Sequence, residues 1–183
     1  KSGLNYIHQN IPQVDFKQQI LLPYQLSKLG PFLASGDVNA DGLEDVIVGG
    51  NYLKPAVLYV QQKNQTFKAS NAQPWNTLGL YSDMGLCLFD ADGDKDLDLF
   101  IVRGNTNQPS HASDYQDVMF VNDGKGNFTL APNALPDLTS NGSCVVAADY
   151  DKDGDLDLFL GGRSMPGSYP EADFSYLLKN QSA

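Results

Sequence analysis

The chain has 183 residues, 42% of them hydrophobic and 19% charged, which is enough apolar material to bury a core and excludes disorder. Twelve Lys and Arg against 22 Asp and Glu leave a net charge of -10, which argues against DNA, RNA or an anionic membrane as partner. Cys87 and Cys144 are too few for a disulfide scaffold, His8 and His111 are too far apart for a metal pair, and no apolar run reaches the roughly 20 residues of a membrane span.

The opening residues, Lys1-Ser2-Gly3-Leu4, do not read as a signal peptide. Residues 1–30 form an N-terminal segment in which Gln13-Val14-Asp15-Phe16-Lys17 can supply an extra strand. Residue 31 begins a patterned region, and within it the acid is concentrated. Three nine-residue windows hold 14 of the 22 acids and carry -12, so the rest of the chain is +2. Such windows repel themselves unless they are solvated or hold a cation.

The first window runs Asp37-Val38-Asn39-Ala40-Asp41-Gly42-Leu43-Glu44-Asp45, the second from Asp90 through Asp92, Asp94 and Asp96 to Asp98, and the third from Asp149 through Asp151, Asp153 and Asp155 to Asp157. Oxygen-bearing side chains recur at positions 1, 3, 5 and 9. Position 7 (Leu43, Asp96, Asp155) can turn its backbone carbonyl inward, which completes the six to eight hard oxygens that calcium takes. Position 9, with Asp45, Asp98 and Asp157, is the expected bidentate ligand. Gly42 and Gly154 at position 6 suit a turn with positive φ, and Lys95 breaks that pattern in the second loop. Position 12 is Val48, Ile101 or Leu160, not the Glu of an EF-hand, and the flanking runs are β-branched or aromatic, so each loop joins two buried strands.

The windows start 53 and 59 residues apart, and more than the loop repeats. A third strand follows at Val57–Val60, Val118–Val121 and Ser175–Leu178, and in the first two units a polar turn then leads to Phe67 and Phe128. Four strands in some fifty residues describe a propeller blade. The blades are expected at about 31–70, 84–131 and 143–183, with the last one incomplete.

Residues 31–183 resemble the FG-GAP/VCBS repeat family, the calcium-loop propellers that include the head of integrin α chains. The segments Gly36–Gly50 and Phe120–Phe128 look most like bacterial secreted VCBS proteins that carry an ASPIC/UnbV domain. The resemblance implies loop aspartates that bind calcium, an extracellular or cell-surface location and a ring of about seven blades, of which this chain has motifs for three. The expected fold is therefore all-β, an incomplete propeller segment whose open sheet edges invite self-association.

Outside the loops the sequence says less. Cys87 and Cys144, just before loops two and three, read as core residues, and neither histidine lies beside a nucleophile signature. Sequons begin at Asn64, Asn127, Asn141 and Asn180. The long loops after the second strand of each unit carry Asn51, Tyr52, Arg103, Asn105, Asn107, His111, Tyr115, Arg163 and Tyr169, on the face opposite the acidic loops. Arg103 and Arg163 stand at nearly the same offset and together would suit a carboxylate or acidic sugar. The expected function is a non-enzymatic, extracellular recognition or adhesion module, stabilised by three Ca²⁺ and binding a glycan or protein through that face. The competing class is a carbohydrate-active enzyme, a polysaccharide lyase or its accessory propeller.

Overall fold

The β-branched and aromatic runs on either side of each acidic loop pair antiparallel across it. In the computed structural model, which describes residues 2–10, 12–79, 81–106 and 110–181, these runs build three antiparallel sheets with no α-helix among the described residues. The first sheet is β1 (Leu33–Gly36), β2 (Asp45–Val48), β3 (Val57–Gln61) and β4 (Phe67–Ser70), in that order. The second repeats it with β5 (Asp83–Phe89), β6 (Asp98–Arg103), β7 (Val118–Val121) and β8 (Thr129–Leu130). The third has β9 (Gly142–Ala148), β10 (Asp157–Gly162) and β11 (Tyr176–Leu178), with no fourth strand among the described residues. The protein is all-β, built of propeller-type blades with the last one incomplete.

Strand alternation gives each sheet two apolar faces, and the faces decide how the sheets stack. From the first sheet Ile47 and its cross-strand partner Leu58 meet Leu99, Ile101 and Phe120 of the second. The other face of the second sheet, Phe100 with its partner Met119 and Val102, meets Leu158 and Leu160 of the third. Full burial of such side chains contributes about 1.5–3 kcal/mol each, so these two seams hold the sheets together. Among the described residues the third sheet has no neighbour on its far side. Phe159, two residues past Asp157 as Ile47 is past Asp45 and Phe100 past Asp98, is 49% exposed where both counterparts are 0%. Its partners across the strands, Val146 and Leu177, are exposed with it.

The near side of the first sheet is covered by the N-terminal segment. The Phe67 N–H donates to the Ser2 carbonyl at 2.7 Å, the Tyr6 hydroxyl donates to the Gly49 carbonyl, and Asn51 Nδ2 donates to the Gln9 carbonyl. The expected strand at Gln13–Lys17 does not form; Asp15–Lys17 is a 3-10 turn. Asp15 is fully buried and accepts the Ser27 N–H at 2.8 Å, and that inward carboxylate bends the chain where a strand would run straight. Both cysteines are free thiols. Cys87 packs beside the seam between the second and third sheets, but Cys144, expected in the core, is exposed because it lies on the uncovered face of the third sheet.

Candidate metal centres and the opposite loop face

Position 9 of each loop opens a strand, and its depth organises the loop above it. Asp45, Asp98 and Asp157 are 1%, 0% and 2% exposed. One oxygen of each accepts the N–H of position 2: Val38 at 3.2 Å, Ala91 at 2.9 Å and Tyr150 at 3.3 Å. The other accepts an N–H at the end of the third strand or just past it: Gln61, Asn122 and Asn180, each at 2.8 Å. Each carboxylate therefore fastens its loop to two places in the sheet. Expected as a bidentate metal ligand, it already uses both oxygens in this way, which leaves one lone pair on each. Burial raises the pKa of Asp45 and Asp98, and the two backbone N–H groups on each oppose that rise.

The rest of each loop coils around the carboxylate at position 1. Asp37 Oδ2 accepts the Gly42 N–H at 2.8 Å, Asp90 Oδ2 the Lys95 N–H at 3.0 Å and Asp149 Oδ2 the Gly154 N–H at 3.2 Å. The backbone repeats just as closely. Position 4 has positive φ in all three loops (Ala40 57°, Gly93 82°, Lys152 63°), and so does position 6 (Gly42 83°, Lys95 77°, Gly154 104°). A Cβ on Gly42 or Gly154 would meet nothing within 4 Å, so glycine is needed there for φ alone. Lys95 accepts the same φ at a cost of about 1–2 kcal/mol, and the second loop has the geometry of the others.

Two of the loops gather carboxylates. In the second, oxygens of Asp90, Asp92 and Asp98 lie within 4.8 Å of one another, and in the third so do those of Asp149, Asp151 and Asp153. These are acidic triads able to hold a metal ion. The first loop forms no such triad among the described residues, since its third position is Asn39, whose Oδ1 accepts the Asp41 N–H at 3.0 Å. In the second loop Asp94 Oδ1 accepts the Asp96 N–H, while Asp96 Oδ1 is buried with no hydrogen-bond partner. Its carboxyl is pushed up to about 6 by desolvation and then by repulsion from Asp94, Asp98 and Asp92. A divalent cation is the charge that relieves such crowding, and all the donors are hard oxygens, so the residues fit calcium. In the third loop Asp153 Oδ1 accepts the Asp155 N–H, and a cation is already supplied from within. Lys179 Nζ pairs with Asp151 and lies 3.1 Å from Asp153. The sequence reading missed this lysine, which sits one residue past β11.

A family model described as an FG-GAP-like repeat matches residues 37–101 and 105–160, about two thirds of the chain. The chain belongs to the FG-GAP-like repeat family. No curated protein matches it. Both matched stretches contain acidic loops, so the repeat that the family model captures is the loop and the strands that position 9 ties to it.

At the other end of the FG-GAP sheets lie the long loops, and there the two arginines part. Arg103, expected on the open loop face, is buried instead. It is 9% exposed, its guanidinium stacked on the Tyr81 ring at 3.8 Å, and its backbone N–H donates to Asp117 Oδ1 at 2.8 Å. Burial lifts Asp117 to about 7 and Asp83 to about 6, both partly offset by backbone N–H groups and by the Arg103 charge. Arg103 and Asp83 line a small cavity between the first two sheets, and Asp117 holds the Arg103 backbone beside it. Arg163 is half-buried in a groove of about 330 Å³ shared with Tyr24, Leu26 and Tyr169, where the N-terminal segment meets the third long loop. The Tyr169 N–H donates to Gln19 Oε1 and closes one side of it. His111 is exposed on the second long loop, and Asn107, also expected on this face, lies outside the described residues.

Proposed function

We propose that this FG-GAP protein is a calcium-stabilised extracellular recognition or adhesion module of the secreted VCBS type, with Ca²⁺ in all three acidic loops. The observation that carries the reading is the division of labour between the two ends of the sheets. The acidic loops are anchored at position 9 and wound around position 1, an arrangement suited to a structural ion. The opposite end offers a groove with an arginine and two tyrosines, side chains that together take a carboxylate and the face of a sugar or peptide. Calcium when bound supplies charge neutralisation and rigidity, and the chain's own residues do the rest: position 9 fixes the loop to the strand, and the strand fixes the long loop beyond it.

The reading is non-enzymatic. Asp83 and Asp117, the carboxyls with raised pKa on the long-loop side, flank Arg103, but the cavity beside Asp83 and Arg103 measures about 20 Å³, room for one water and not for a sugar ring. The net charge of -10 favours cations over nucleic acid. A screen of acidic glycans and peptides, with calcium and with chelator, tests the proposal: binding that needs Arg163 and is lost in Arg163→Ala supports it. Binding unaffected by that change, or turnover of a glycan, overturns it.

A further inference from the structure

We propose that the groove beside Arg163 takes an acidic, proline-rich peptide segment in the polyproline II conformation, packed on Tyr24 and Tyr169 with a carboxylate on Arg163; this rests on the recognition function proposed for the same groove. The chain has two arginines, and their surroundings differ. Arg103 is stacked on Tyr81 and feels the charges of Asp83 and Asp117. Arg163 is half-buried and forms no ion pair among the described residues. Taking a guanidinium partly out of water with no acid beside it is unfavourable, and a bidentate carboxylate offsets that cost. The N-terminal segment on the other side of the groove adds to the attraction. Residues 1–30 hold Lys1, Lys17 and Lys28 against Asp15 alone, so this stretch is +2 in a chain of -10. Of the acids on the third long loop, Asp173 has its two oxygens engaged by the N–H groups of Asn141 and Phe174, and Glu171 is exposed, where water screens it.

The rest of the lining favours a peptide over a sugar. Pro23, Tyr24, Leu26, Tyr169 and Pro170 supply most of it, and the main chain beside them is already engaged within the protein. The Arg163 backbone N–H donates to the Asn141 carbonyl and its carbonyl accepts the Asp173 N–H, while the Ser164 carbonyl accepts from Asn141 Nδ2 and the Tyr169 N–H donates to Gln19. What faces a ligand is therefore chiefly apolar rings, two phenols and one guanidinium. A sugar ring carries a hydroxyl on nearly every carbon, and each polar group buried without a partner costs about 1–3 kcal/mol. A proline-rich segment makes fewer demands. Proline has no N–H, the polyproline II helix is rigid before it binds, and its rings pack into aromatic-lined grooves. One turn is three residues and about 9 Å long, so a groove of about 330 Å³ accommodates a single turn. Ile20 and Leu21, exposed just ahead of Leu22 in the lining, extend the apolar surface for residues that flank this turn.

The test titrates the whole protein with a labelled, capped peptide of Pro-Pro-Glu repeats and reads fluorescence anisotropy. The expected result is saturable one-to-one binding, weakened about tenfold at low salt when the peptide carries Gln in place of Glu. In Arg163→Ala the two peptides should bind alike, because the partner of the carboxylate is gone. Tyr24→Ala, an exposed position on the groove, should weaken both peptides and leave the melting temperature in place. A Gly-Ser-Glu peptide of the same length and charge should bind about tenfold or more weakly, since it has neither the rings nor the fixed conformation. Equal affinity for the Gly-Ser-Glu peptide, or a difference between Glu and Gln peptides that persists in Arg163→Ala, overturns the proposal. No binding of the Pro-Pro-Glu peptide at millimolar concentration overturns it too. If an oligogalacturonate then binds through Arg163, the recognition function stands and only the assignment to a proline-rich peptide falls.

Discussion

Asn122 Nδ2 donates to the carbonyl of Val38 at 2.8 Å, joining the exit of the second sheet's third strand to position 2 of the loop one blade earlier. Asn180 Nδ2 makes the same bond to the Ala91 carbonyl at 2.8 Å. Each acidic loop of the first two blades is therefore held by its own position 9 from below and by the next blade's asparagine from the side. The same Asn122 Oδ1 accepts the N–H groups of Asp123 and Gly126, which shapes the turn toward Phe128.

Replacing Asn122 should accordingly cost more than its single side chain suggests. Asn122→Ala leaves the buried Val38 carbonyl and the Gly126 N–H without this partner, and the expected loss is about 2–4 kcal/mol in urea unfolding. A loss within about 0.5 kcal/mol would mean that the inter-blade bond is incidental.

Lys95 gives a prediction of the opposite sign. Lys95→Gly relieves a positive φ at a site where its flanking loops already use glycine, and should stabilise the protein by about 0.5–1 kcal/mol. Chemical denaturation of the two proteins in the same buffer reads it directly.

Much of this architecture was legible beforehand. The oxygen spacing at positions 1, 3, 5 and 9 and the apolar runs beside it are local signals, and they placed the strands, the loops and the incomplete third blade. What escaped were side chains whose roles depend on the stacking of one blade on another. Arg103 is expected on the open loop face because its offset matches that of Arg163, yet stacking sets it against Tyr81, beside half-buried Asp83 and buried Asp117. Lys179 and the pair Asn122 and Asn180 lie at the ends of strands, where sequence gives no periodicity to interpret. For the two asparagines the nearly equal distance past position 9, 24 and 23 residues, was the available signal. Asp15 escaped for a similar reason, since a polar residue in an alternating run gives no hint that it turns inward.

Half-buried Asp83 and buried Asp117 set a pH dependence. Both carboxyls have folded pKa values, about 6 and about 7, above the ordinary value of 3.8. A carboxyl raised on folding adds stability below its unfolded pKa, and that contribution is lost as pH rises through the folded value. In chelator, to keep metal out of the comparison, stability should fall between about pH 4 and pH 7. Asp117→Asn, whose amide oxygen can still accept the Arg103 N–H, should flatten that fall. A pH profile of melting temperature identical in the two proteins would contradict this assignment.

Lys179 should compete with metal in the third loop. Lys179→Met removes the ammonium beside Asp151 and Asp153 and should tighten calcium binding at that loop several-fold at low salt, with the second loop unchanged. Site-resolved calcium titration by NMR separates the two loops.

The central claim, that the acidic loops are structural calcium sites, is tested most directly by thermal unfolding of the protein with millimolar calcium and with excess chelator. The account predicts a higher melting temperature with calcium, and a smaller calcium-induced shift in Asp90→Ala, whose carboxylate belongs to the second triad. Melts that coincide in the two conditions would contradict it.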